Sequence, residues 1–267
     1  MSGRSAVGAV PLRPAEGTAG PAAKLRPAVG AEWIKLRSIR STRWTLVGLA
    51  VVVPALAVFV GATGSLQPDD TVLGGSLTGA VLGQLAAAIL GALVVTTEHG
   101  TTLRTTFTAC PRRTTVLVAK AVTVAAVVFP VSLVACTGAY LLGDRLLDDG
   151  HRSGEPMPAL LGIAACLTAS ALLGLAVGAV VRQSAGAVTA VVGIVLLPSM
   201  LGPLFGDLQR WVAGAAPSAT LQKLTQTSDA TPEAVGSLGA WPSLAAFTVA
   251  TLAALVVAAR LVEHRDA

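Results

Sequence analysis

Glu98-His-Gly-Thr-Thr-Leu-Arg104 is a polar, basic stretch held between two hydrophobic runs, Thr71 to Thr97 and Ala121 to Leu142, neither of which carries a charged side chain. Each run is at least as long as the about 20 helical residues that a hydrocarbon core requires. Lipid offers no water to satisfy a backbone, so apolar segments there must be helices or closed barrels, and continuous rather than alternating apolarity selects helices. The expected fold class is an all-α integral membrane protein.

Composition agrees. Of 267 residues 53% are hydrophobic and only 12% charged, with a mean hydropathy of +0.72; a soluble domain carries about 25% charged residues. Apolar runs predict six transmembrane helices, near 45–63, 77–95, 121–142, 157–181, 185–204 and 240–259. Pro54 in the first, and Pro198 and Pro203 in the fifth, predict kinks that neighbouring helices can accommodate. Residues 1–30 are rich in Pro, Gly and Ala, with Pro11, Pro14, Pro21 and Pro27 interrupting any helix, and lack the apolar core of a signal peptide. They are expected to form a disordered cytoplasmic tail, leaving 31–267 as one six-helix transmembrane domain.

Lys and Arg close to the spans are retained in the cytoplasm. With six spans both termini share a side, which collects fifteen of the nineteen Lys and Arg residues and leaves Arg145, Arg152, Arg210 and Lys223 opposite. Both termini are therefore expected to be cytoplasmic. The formal net charge of +5 does not imply nucleic acid, because the basic residues hug the membrane boundary and no compact basic domain remains. Membrane lipids with anionic head groups are the simpler partner. Abundant Ala, Gly and Arg beside only four Lys fits a GC-rich bacterial genome, and so a bacterial plasma membrane.

Little in the chain suggests chemistry of its own. His99, His151 and His264 lie outside the spans, and there is no His-Glu-x-x-His pair, no Gly-x-Ser-x-Gly elbow and no P-loop. No soluble segment is long enough for a nucleotide-binding domain. The chain is thus not expected to be an enzyme or to bind a cofactor or metal itself. The spans hold no charge away from their ends, which argues against ion-coupled transport. Cys110 falls in the loop after span two and Cys136 and Cys166 within spans, where packing is the default role.

Two segments are placed to receive force from another chain. In Ala31 to Arg43, Val29, Trp33, Leu36 and Ile39 share one helical arc, but Glu32, Arg40 and Arg43 fall in it too. A helix in the membrane interface, with Glu32, Trp33, Lys35, Arg37 and Arg40 at head-group level, is one reading, and an ordinary positive-inside flank is the other. In Glu98 to Lys120, Pro111 disfavours helix at Cys110, so a short helix from about Thr101 to Ala109 is expected on the inner face. Glu98 has Arg104, Arg112 and Arg113 as candidate partners; the bland alternative is a solvated loop that enforces topology. Gly75, Gly79, Gly83, Ala87 and Gly91 recur every fourth residue on span two, and Ser170, Gly174 and Gly178 on span four. Such ladders suit close helix packing, within one subunit or between two.

Six spans, Glu32-Trp-Ile-Lys-Leu-Arg-Ser38 before the first, and Glu98, Thr102-Leu-Arg104, Pro111-Arg-Arg113 and Lys120 after the second resemble the type-2 exporter permeases of the ATP-binding-cassette superfamily. Gly100 is separated from Arg104 by Thr101, Thr102 and Leu103, where that family usually has Gly-Thr-x-Arg, so the Glu98 pairing is the part that departs. The resemblance implies a connecting helix over Ala31 to Arg43 and a coupling helix over Gly100 to Ala109 that seats in a separate ATPase subunit. Glu98, Gly100, Thr102, Arg104, Pro111, Arg112 and Arg113 would then serve ATPase coupling, with ATP and magnesium bound by that partner. A second permease subunit, in a homo- or heterodimer, would complete the pathway for an amphipathic or hydrophobic compound, and Phe205 to Gly239 would hold the external helices. The alternative is a non-transporting membrane scaffold or resistance subunit that anchors an ATPase or another partner.

Overall fold

The computed structural model describes residues 21–38, 40–64, 66, 70–97, 113–146, 154–201, 204, 214 and 216–265. Among them no strand occurs. In chain order the helices are α1 (Pro21–Ser38), α2 (Arg40–Thr63), α3 (Val72–Ser76), α4 (Ala80–Thr96), α5 (Arg113–Leu146), α6 (Pro156–Val181), α7 (Ser184–Leu201), α8 (Pro217–Thr225), α9 (Pro232–Val235) and α10 (Ala240–Arg265). Five stretches are long and apolar enough to cross a membrane: Thr42–Thr63, Thr114–Leu146, Pro156–Val181, Ser184–Leu201 and Pro232–His264. α4 is a shorter apolar helix of 17 residues. The molecule is an all-α protein with the helices of a multi-pass membrane protein.

The bundle is organised around α6, which packs against α4, α5, α7, α8 and α10. Its most extensive contact is with α4. At Gly91 a Cβ would lie 1.8 Å from the Ala171 carbonyl oxygen, and at Gly174 one would lie 1.9 Å from that of Ala88. No side chain fits there, so the backbones meet directly. Gly178 repeats the approach more loosely, against the Ala92 carbonyl at 2.7 Å. Gly79 and Gly83 face α2 instead, with Val53 against both. These ladder faces are therefore occupied within the chain, whereas sequence left open whether they met inside one subunit or between two. Gly75 stands apart: it belongs to α3, and Leu77–Gly79 form a turn that separates it from α4, which begins at Ala80.

Buried apolar side chains fill the bundle at both ends. Val53, Leu73, Leu77, Ile163, Leu167 and Leu221 pack near α3 and α8, while Leu36, Leu49, Leu90, Val124 and Leu175 pack near α1. Gln84 interrupts the first of these sets. Gln84 is fully buried, and its Nε2 donates to Ser170 Oγ at 3.1 Å and to the Pro217 carbonyl at 3.0 Å. It thereby holds the start of α8, a helix whose Pro217 to Leu221, Leu224 and Thr225 are all buried. α8 is thus inserted among the spans although it lies within Phe205 to Gly239, expected from sequence to be an outer segment. Cys136 and Cys166 are buried free thiols in the same region.

Two expectations need correction. Helix α1 begins at Pro21, so 21–30 are helical rather than part of a disordered tail. Pro21 opens that helix, where no N–H is needed, and Ala22, Ala23, Lys24 and Leu25 are strong helix formers that outweigh Pro27. The interfacial segment Ala31 to Arg43 is not one helix: α1 stops at Ser38 and Arg40 opens α2. The helix that carries the third apolar run extends from Arg113 to Leu146, beyond 121 to 142 at both ends, with Lys120 buried inside it.

Gly91→Ala is expected to destabilise the protein by about 1–3 kcal/mol or more, since the added methyl must displace backbone rather than a flexible side chain. Gly138→Ala, in α5, where a Cβ meets nothing within 4 Å, should be neutral or stabilising by up to about 1 kcal/mol. Thermal unfolding of the two variants in the same detergent checks the contrast.

Candidate functional site

α5 opens at Arg113, directly after the segment 98–112, and in its first turns places Leu117, Lys120 and Val124 along one buried face. The spacing of three and four residues keeps them aligned. α1 packs against this face through Glu32 and Leu36, again four residues apart and both buried. Between the helices Lys120 Nζ and Glu32 Oε2 are 2.6 Å apart, with both side chains about 95% buried (5% and 6% exposed). The other carboxylate oxygen, Oε1, accepts from Lys35 Nζ at 2.9 Å, and Lys35 reaches the open side of the cluster at 31% exposure. Both oxygens of Glu32 are thus engaged.

The pair explains the poor amphipathicity of α1. Glu32 sits in the same arc as Leu36 because that arc faces Lys120, and Trp33, the residue a membrane anchor would expose, is on the outer side at 42% exposure. Two charges removed from water gain little net stability over a well-packed apolar pair. Register is what they add: sliding α1 by one residue turns Glu32 by about 100° and leaves both charges uncompensated.

The joint between α1 and α2 is also closed by side chains. Ser38 Oγ donates to the Lys35 carbonyl at 2.9 Å, and Arg43 Nε donates to the carbonyl oxygen of Arg37. These bonds satisfy carbonyls that the end of α1 would otherwise leave open. Arg37 and Arg40 are exposed beside the joint.

Of the residues expected to couple to an ATPase, Glu98, Gly100, Thr102, Arg104, Pro111 and Arg112 lie outside the described residues, and Arg113 is placed only as the first residue of α5. α4 ends at Thr96 and α5 starts at Arg113, and both of these helix ends lie at the α1 end of the bundle. Lys120 is seven residues into α5, about 10 Å along its axis from Arg113. No cluster of three or more His, Cys, Asp or Glu suited to a metal occurs among the described residues. Comparisons with protein-family models and with curated proteins find no match to this chain.

Two contributors escaped the sequence reading. The Glu32 to Lys120 contact joins residues 88 apart, and its only local trace was a carboxylate in the same arc as Trp33 and Leu36. Gln84 was visible as a lone amide in the run Leu77 to Val95, a group that in lipid needs partners.

Removing one partner, as in Glu32→Ala or Lys120→Ala, is expected to cost about 3–5 kcal/mol by stranding a buried charge. The exchange Glu32→Lys with Lys120→Glu should recover a large part of that loss, with coupling energy measured by a double-mutant cycle on unfolding in detergent.

Proposed function

We propose that the chain is the permease subunit of an ATP-binding-cassette exporter of type 2, forming with a second permease subunit the pathway for an amphipathic or hydrophobic compound and driven by a separate ATPase. The observation that carries this reading is the buried Glu32–Lys120 pair. It fastens α1 to the root of a long apolar helix, about 10 Å along that helix from Arg113, the residue that follows 98–112 in the chain. A partner that pushed on that segment would move α5 and α1 together.

Other features support the reading. Counting α4 as a crossing gives six spans, since 17 residues meet the lower bound of about 17 for a thin or locally adapted bilayer. Six spans put both termini on one side, and the distribution of Lys and Arg makes that side the cytoplasm of a bacterial cell. Glu32 and Lys120 are the buried charged side chains among the described residues, and each neutralises the other. Among the described residues the bundle interior therefore offers no uncompensated charge to a strongly ionic cargo. Outward faces of α2 and α10 bear Val47, Val51, Phe59, Val249, Leu252 and Val256, apolar surface that lipid or a second permease subunit would cover. Nucleotide and magnesium chemistry resides in the ATPase, whose seat is the segment containing Arg104 and Arg113.

The tagged chain, extracted in mild detergent, is expected to retain a nucleotide-binding subunit identifiable by mass spectrometry, and the double variant R104E/R113E to lose it. Inverted vesicles should accumulate a hydrophobic probe only with ATP. Recovery without any ATPase would overturn the proposal, and an ATPase retained without ATP-dependent accumulation would make the chain a membrane scaffold.

A further inference from the structure

The joint of α1 and α2 borders a groove of about 620 Å³ against α5, lined by Trp33, Leu36, Arg37, Arg43, Leu46 and Val127. That volume falls in the range of small-molecule sites, about 300–1,000 Å³. Its chemistry is layered. Arg37 and Arg43 supply two exposed guanidinium groups at the rim, Trp33 presents an indole beside them, and Leu36, Leu46 and Val127 form an apolar floor. Among the described residues no acidic side chain lines it. The acidic residue nearest in sequence on α1, Glu32, has both oxygens committed to Lys35 and Lys120, so it does not cancel the two arginines.

Arg43 is fixed in place by its Nε bond to the Arg37 carbonyl. That bond leaves the terminal nitrogens of its guanidinium available as donors, in a fork that suits phosphate oxygens. Along α2, Leu46 lies one turn deeper than Arg43, within Thr42–Thr63, and Val127 lies two turns deeper than Lys120 in Thr114–Leu146. The groove thus runs from charged to apolar along the direction in which a bilayer does.

We propose that this groove holds one phospholipid with an anionic head group, its phosphate on Arg37 and Arg43, its glycerol region against Trp33 and one acyl chain on Leu46 and Val127. The site rests on the membrane reading of the helices, and it is independent of the ATPase. The bound lipid wedges the α1–α2 joint and so sets how firmly α1 lies against α5.

The test uses the full chain, delipidated in detergent, with bound lipid counted by native mass spectrometry in titrations of phosphatidylglycerol and phosphatidylcholine. One phosphatidylglycerol is expected to be retained in preference to phosphatidylcholine. Arg37→Gln should weaken it about tenfold, the loss of one charge-assisted contact, and Arg37→Lys should restore part of it. Arg37 is the informative position because Arg43 bonds to its backbone carbonyl, which the substitution keeps. Arg40→Gln, outside the groove, should leave binding unchanged. Equal retention of the two lipids, equal weakening by Arg37→Gln and Arg40→Gln, or full competition by inorganic phosphate alone would overturn the site. None of these outcomes touches the exporter reading, which is judged by ATPase recovery.

Discussion

At Gly91 and Gly174 the backbones of α4 and α6 come so close that a single methyl group on either would overlap a carbonyl of the other. Among lipid tails the hydrophobic effect does not drive helices together, and association depends on close packing and interhelical polar contacts. The α4–α6 seam supplies the packing, and Gln84, bridging Ser170 on α6 and Pro217 on α8, supplies the polar contact. Around this pair the remaining helices are arranged. α2 leans on Gly79 and Gly83, α7 on Ala88 and Ala92, and α8 is carried into the bundle on the Gln84 amide.

A second constraint acts at the edge. Among the described side chains of α1, Leu36 is the one that joins the inner apolar cluster, while Trp33 and Ile34 are exposed. The placement of that helix therefore depends on electrostatics, through Glu32 and Lys120, with the Arg43 bond turning the chain into α2. These interactions sit where the chain's basic residues are densest, so the only carboxylate of α1 is surrounded by several cations and the region stays net positive. That balance suits contact with anionic lipid surfaces.

The class of fold was legible because length and uninterrupted apolarity decide it, and runs such as Ala121 to Leu142 carry that signal whatever their neighbours do. Bounds were less legible. The helix that carries the third apolar run begins at Arg113, and Lys120 lies buried in it beside a partner 88 residues away that no local pattern reports. Pro27 was weighed as a helix breaker, yet a helix runs through it. The ladders of small residues were recognisable as packing surfaces, but their mates were not, since Gly91 and Gly174 answer to carbonyls on another helix rather than to anything nearby in sequence. The depth of α8 was hidden because its polar composition resembles an exposed segment, while Pro217 to Thr225 is sheltered by the helices around it.

α5 is 34 residues long, about 51 Å as a continuous helix, against a hydrocarbon thickness of about 30 Å. Near one end it holds Lys120 under α1, and near the other Gly143 lies so close to Ser76 of α3 that a Cβ there would fall 1.9 Å from its hydroxyl. Those two attachments are 23 residues apart, about 35 Å along the axis. A strut gripped at both ends cannot be displaced at one face without straining the other, so the two surfaces of this protein are mechanically linked by a single element. Pro130, roughly midway, leaves the Ala126 carbonyl without its usual helical donor. The middle of the strut is thus the place where its own backbone hydrogen bonding is weakest.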